Sequence, residues 1–302
     1  MIMKRTLIII GVLLTFFNLS ITAQQDTIKS NWKFSGITAL NISQISFSNW
    51  AAGGDNSING NTFAKISANY KKNKSIWDNN LDLGYGLMKQ GKKENSKFFK
   101  TDDRIEFASK YGKFAFDHWY HTALISFKTQ FTEGYKSIND TIKISDFMSP
   151  GYFNISIGMD YKPLDKLTVL ISPVSGKLTF VKDSILSYAG AFGVKPGENV
   201  RKEFGGFIKI QYKTDFFKNI SYSTKLELFS NYLYKPQNID VNWDNLLTLK
   251  INSLFTASFQ YTLLYDDDIK IKYDSNGDNI PDSEGARLQS RQIFGIGLSY
   301  KF

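Results

Sequence analysis

The sequence predicts an all-β fold: a transmembrane antiparallel up-and-down β-barrel of about twelve strands that follows an N-terminal signal peptide. Three observations predict it. The chain ends in a strand of period two, with Phe294, Ile296, Leu298, Tyr300 and Phe302 on one side and Gly295, Gly297, Ser299 and Lys301 on the other. Connections between alternating segments are long and short by turns. Past the first two dozen residues no run of about eighteen apolar residues remains, which excludes spanning helices. Alternating strands hide no such run, and they keep the mean hydropathy near that of a soluble protein; here it is slightly negative.

Residues 1–23 carry Lys4 and Arg5, an apolar stretch over 7–17, and Thr22-Ala23 ahead of the polar Gln24-Gln25-Asp26. That is the pattern of a cleaved secretory signal, leaving 24–302 as the barrel domain. With no cysteine there is no disulfide framework, no thiolate metal site, no Cys nucleophile and no acylation site of the lipoprotein kind. The formal charge is +9, of which Lys4 and Arg5 contribute two, and the remaining basic residues are spread along the chain. Such a distribution does not point to nucleic acid. Aromatic residues make up 15% of the chain, as a barrel with girdles at both interfaces requires.

In chain order the strands are read at 32–42, 59–70, 77–87, 104–111, 119–131, 153–161, 167–173, 203–212, 220–232, 241–251, 255–265 and 288–302. The odd connections are long, over 44–58, 89–103, 132–152, 174–202, 233–240 and 266–287. The even ones are short, over 71–76, 112–118, 162–166, 213–219 and 252–254. Short turns on one rim and long loops on the other fit an outer-membrane barrel with both termini on the periplasmic side.

The outward faces end in rings toward the turns, among them Tyr70, Trp77, Tyr111, Trp119, Tyr161, Tyr212 and Tyr300. Rings with a polar edge suit the headgroup boundary. The opposite faces carry charges of both signs, which cannot face lipid and so line the lumen. On the first half of the barrel these are Lys65, Asp82, Arg104, Glu106, Lys128 and Asp160; on the second, Glu203, Lys209, Lys225, Glu227, Asp244, Arg287 and Arg291. In one reading they pair and plug a narrow barrel; in the other they line a conduction path for small solutes, with a weak preference for anions.

A terminal alternating strand that closes on Phe resembles the last strand of bacterial outer-membrane barrels, in which the final aromatic belongs to the signal read by the assembly machinery. Idiosyncratic motifs narrow the resemblance. They are Ser46-Phe47-Ser48-Asn49-Trp50-Ala51-Ala52-Gly53-Gly54-Asp55, Asn80-Leu81-Asp82-Leu83-Gly84-Tyr85-Gly86-Leu87 after Trp77-Asp78-Asn79, and Lys100-Thr101-Asp102-Asp103. Later come Ser172-Pro173-Val174-Ser175-Gly176-Lys177, Ala189-Gly190-Ala191-Phe192-Gly193-Val194, Asn238-Ile239-Asp240-Val241-Asn242-Trp243 and Tyr265-Asp266-Asp267-Asp268-Ile269. Together they resemble a family of outer-membrane barrels from Bacteroidota, domain of unknown function 3078. The resemblance implies an integral outer-membrane location, with membrane lipids and the barrel assembly machinery as partners. It brings no activity.

Two constellations carry chemistry of their own. Asp274, Asn276, Asp278 and Asp282 place side-chain oxygens at alternate positions around Gly277, in a pattern that resembles aspartate-rich calcium loops, with the Ile280 carbonyl as a further ligand. Gly285 stands where an EF-hand has its closing Glu, so the alternatives are a structural calcium site and a solvated acidic turn. The two histidines, His118 and His121, are three apart on a strand and point to opposite faces, with no Ser in a recognisable motif beside them. The expectation is a barrel without enzymatic activity, serving a structural, assembly or interaction role, or else a narrow porin-like channel.

Overall fold

The computed structural model describes residues 30–46, 56–91, 98–137, 140–276 and 282–302. The predicted signal segment, the Asn49-Trp50 motif and Asp278 lie outside these residues. Twelve strands close a barrel. They are β1 (Trp32–Ile45), β2 (Ser57–Lys72), β3 (Ser75–Gln90), β4 (Phe99–Phe116), β5 (Trp119–Thr129), β8 (Gly151–Leu164), β9 (Leu167–Phe180), β10 (Val200–Phe217), β11 (Ile220–Asn231), β12 (Ile239–Lys250), β13 (Phe255–Tyr265) and β16 (Gln289–Lys301). Each pairs antiparallel with its neighbours in chain order, and β16 returns to β1. The remaining elements sit in the long connections: β6 (Gly134–Tyr135) with β7 (Lys143–Ser145), the helix α1 (Ser184–Tyr188), and β14 (Lys270–Tyr273) with β15 (Ser283–Ala286).

The polarity of the wall is the reverse of a soluble core. On β13, Phe255 and Phe259 are 44% and 37% exposed while Ser258 and Gln260 between and beside them are 3% and 5% exposed. Aromatic side chains gather near the short turns, where Trp32 meets Tyr70 and Trp77 at ring separations of 5.2 and 5.6 Å and Trp119 meets Tyr161 at 4.8 Å. Trp77 donates its indole N–H to Ser109 and Trp243 donates to Thr224, both at 2.8 Å, so the outward rings keep their polar edges satisfied.

Two details depart from the alternation read in the sequence. The strand expected to end at Pro173 continues as β9 to Phe180. Proline cannot donate to a ladder, and here it falls in a bulge: the register steps from Phe207↔Ser172 to Gly205↔Ser175 on one side and from Met159↔Ile171 to Ile157↔Val174 on the other. His118 is not on a strand. It occupies the tight turn between β4 and β5, left-handed at φ 53, and His121 lies on the outward face of β5.

The connection between β9 and β10 has a small core of its own. Asp183 caps α1 by accepting from the Leu186 amide at 3.0 Å, and Val181, Leu186 and Val194 pack beneath. Lys143 of the β6–β7 hairpin bridges Asp146 at 2.7 Å and Asp183 at 2.6 Å, tying two connections together. Those two hydrogen bonds raise the Lys143 pKa above its ordinary value, and the Lys143 bond lowers that of Asp183.

Candidate functional site

In a closed barrel, side chains on strands far apart around the wall can meet only through the lumen. Glu106 on β4 receives a hydrogen bond from Lys225 on β11 at 2.7 Å, and Lys128 on β5 donates to Glu227 on β11 at 2.6 Å. These contacts define the inward face, and the period-two pleat assigns the rest. Lys65 and Arg104 both reach Asp82, at 2.9 and 3.1 Å, and Arg104 crosses to Gln260 on β13 at 2.9 Å. Lys225 also meets Asp244 at 3.0 Å, and Lys209 meets Glu227 at 3.0 Å. Glu227 is therefore a hub with two lysines and Asn242 on one carboxylate.

Further pairs continue the network toward both ends. Toward the short turns, Lys110 meets Asp160 at 2.7 Å and Lys162 meets Asp78 at 2.5 Å. Toward the long connections, Lys177 lies among Asp240, Asp266 and Glu203, and Arg201 bridges Glu203 and Asp268. Arg291 of β16 reaches across β1, β2 and β3 to Asp102 of β4. Lys110, Lys162, Lys177 and Asp102 are not among the lumen-facing charges read from the sequence. Lys110 shares the parity of Arg104 and Glu106, which would have found it; Lys177 lies beyond the bulge at Pro173, where parity changes.

Mixed with these charges is an apolar cluster that the alternation hid. Leu124, Leu170, Phe207 and Phe229 stand on the charged face and pack together with Ala108. The Lys177 ammonium lies 5.2 Å from the centre of the Phe229 ring.

Arg287 is not brought into the lumen network. It stands between β15 and β16 with its guanidinium carbon 3.6 Å from the centre of the Tyr273 ring, because the hairpin β14–β15 holds this segment off the barrel ladder. In the same connection Asp282 accepts from the Ser275 amide at 2.8 Å and from its hydroxyl at 2.9 Å, bonds that hold its carboxyl below the usual range. The Asn276 amide donates to Asp274 at 3.0 Å. Among the described residues no three acidic or imidazole side chains gather within reach of one metal ion.

A closed twelve-strand wall with lipophilic side chains outside and paired charges inside defines a transmembrane β-barrel of the outer-membrane type. Residues 42–135, under half of the chain, match the family described as "Protein of unknown function (DUF3078)". No curated protein matches the sequence. Among solved structures, the chain is similar to the translocator domain of the autotransporter NalP from Neisseria meningitidis, at 11% identity over 90% of this chain and 88% of that one, with a TM-score of 0.37. It is also similar to the NanC porin, at 10% identity over 87% and 98% with a TM-score of 0.38, and to the TodX monoaromatic hydrocarbon channel, at 9% over 90% of each with 0.32. Likeness at this level carries no argument about what this barrel does.

Proposed function

We propose that the protein is an integral outer-membrane barrel with both termini in the periplasm, that its lumen is plugged, and that its role is structural or interactive, without enzymatic activity. The observation that carries the reading is the set of ion pairs that join opposite walls, Glu106 to Lys225 and Lys128 to Glu227, beside the Leu124–Leu170–Phe207–Phe229 cluster. Long side chains fixed at both ends leave little free bore in a twelve-strand barrel. Barrel assembly machinery and lipid are the partners this reading requires. Refolded protein in planar bilayers is expected to show no stable conductance, and Arg291→Glu to lower thermal stability without creating one. Steady single-channel currents from folded wild-type protein would replace this reading with the second, a narrow and weakly anion-preferring channel. That second reading is favoured by one observation: the inward face of β16, with Arg291, Ile293 and Gly295, is only half-buried.

A further inference from the structure

The barrel wall is incomplete along part of one seam. β1 and β16 pair from Ile37↔Lys301 to Asn41↔Gly297, and Gly36 and Phe302 exchange both backbone hydrogen bonds below. Both strands then continue without each other. β1 stays paired to β2 as far as Ile45↔Ser57, and β16 stays paired to β13 as far as Leu264↔Gln289. The facing edges, Ile42–Ile45 and residues 293–296, form no ladder among the described residues. Their outward side chains are Ile42, Gln44, Phe294 and Ile296, of which the three apolar ones are 62%, 67% and 52% exposed, so the break opens on the lipophilic face of the wall. At its floor the buried Asn41 packs against Gly295, and its amide nitrogen has no hydrogen-bond partner.

Bare N–H and C=O groups are costly in hydrocarbon, and a lipid tail offers them nothing. An extended chain does, presenting donors and acceptors at strand spacing to both edges. We propose that the outer half of the β1–β16 seam is a docking edge for an extended strand of a second polypeptide. This deepens the interactive role proposed above. It depends on the membrane setting but not on the plug, so a conductance result leaves it standing or falling on its own test.

The chain has no cysteine, which makes disulfide trapping specific. The full-length barrel with Gln44→Cys is mixed with a synthetic peptide that reproduces residues 291–298 and carries Cys in place of Phe294, the residue opposite Gln44 if the register continues. A second peptide has prolines at alternate positions and so cannot complete the ladder. Trapping is expected to exceed that of the proline peptide, and that at Ile155→Cys on the fully paired outer face of β8, by about tenfold or more. Equal trapping at both sites, or with both peptides, would mean simple partitioning into detergent or lipid and overturns the proposal. Paired cysteines check self-closure: Leu40→Cys with Leu298→Cys should cross-link without peptide, as their pairing requires, and Gln44→Cys with Phe294→Cys should not. Quantitative cross-linking of the latter pair would show a seam that zips shut by itself, which also overturns the proposal.

Discussion

Strands β2 and β3 pair from Ser57↔Gln90 to Lys72↔Ser75 with no register shift, whereas β1 and β16 share only the short ladder that ends at Asn41↔Gly297. Both junctions belong to one wall. The first is joined by a tight turn with Asn73 in the left-handed region at φ 52, so its partners are neighbours before any tertiary structure exists. The second joins the two ends of the chain and must wait for every strand between them. A barrel built this way concentrates its vulnerability where the last strand meets the first, and the loss of one contact should matter according to which junction it serves.

The largest effect is expected at Phe302. Its ring covers Gly36, where an added Cβ would lie 2.5 Å from it, and its backbone is bonded in both directions to that glycine. Removal of Phe302, or Phe302→Asp, should cut the folded, heat-modifiable form in the outer-membrane fraction to about a tenth or less, because an unclosed barrel leaves two raw edges in lipid. Asn73→Gly at the hairpin turn should leave it unchanged, since glycine accepts the same backbone conformation. Normal membrane levels of the Phe302 variants would show the short seam to be no weak point.

The lumen supplies what the seam lacks. Arg291 ties β16 to β4 across three intervening strands, and Glu227 holds Lys128 from β5 and Lys209 from β10 on one carboxylate. Glu227→Gln leaves the buried Lys209 without its counter-ion and Lys128 with only Glu106 at 4.0 Å, and breaking a buried pair costs about 3–5 kcal/mol. Urea unfolding of the detergent-folded barrel, followed by tryptophan fluorescence, should show a lowered midpoint with native-like starting spectra. An unchanged midpoint would mean that the cross-lumen ties contribute nothing and that the ladder alone holds the wall.

The difference between the two junctions also marks how far the sequence could be read. Twelve alternating segments and the rhythm of their connections were legible because a pleat imprints period two on any strand with unlike faces. Lys65, Asp82, Arg104, Glu106, Lys128, Lys209, Lys225 and Glu227 stand out for the same reason. Parity says which face a residue is on, but not what it meets across the lumen, so the sequence does not reveal the Phe207–Phe229 cluster. Pro173 ended a strand on paper because its missing donor is a local rule, whereas a bulge that accommodates it depends on both neighbours. Arg287 was misplaced because alternation continues past the ladder into a hairpin that leaves the barrel. The seam was illegible altogether: register between chain ends is set by the closing geometry, and no local pattern encodes it.

The smallest expected effect lies in the connection that delivers β16 to the seam. Here Asp274, Asn276, Asp278 and Asp282 are proposed to bind calcium, with the Ile280 carbonyl; Asp278 and Ile280 lie outside the described residues. Asp282 accepts from the Ser275 amide and hydroxyl, which ties the two flanks of the loop together, so calcium is expected to add only a local restraint. Carboxylates and carbonyl oxygens at alternate positions suit a hard cation of flexible coordination, and extracellular sites of this kind bind at about 0.1–1 mM. Millimolar calcium should therefore slow proteolysis between Lys272 and Arg287 without moving the unfolding midpoint of the barrel, and Asp278→Ala should remove the protection. Cleavage at one rate in calcium and in chelator would leave an acidic turn closed by Ser275 and Asp282, its charges serving to keep the connection solvated.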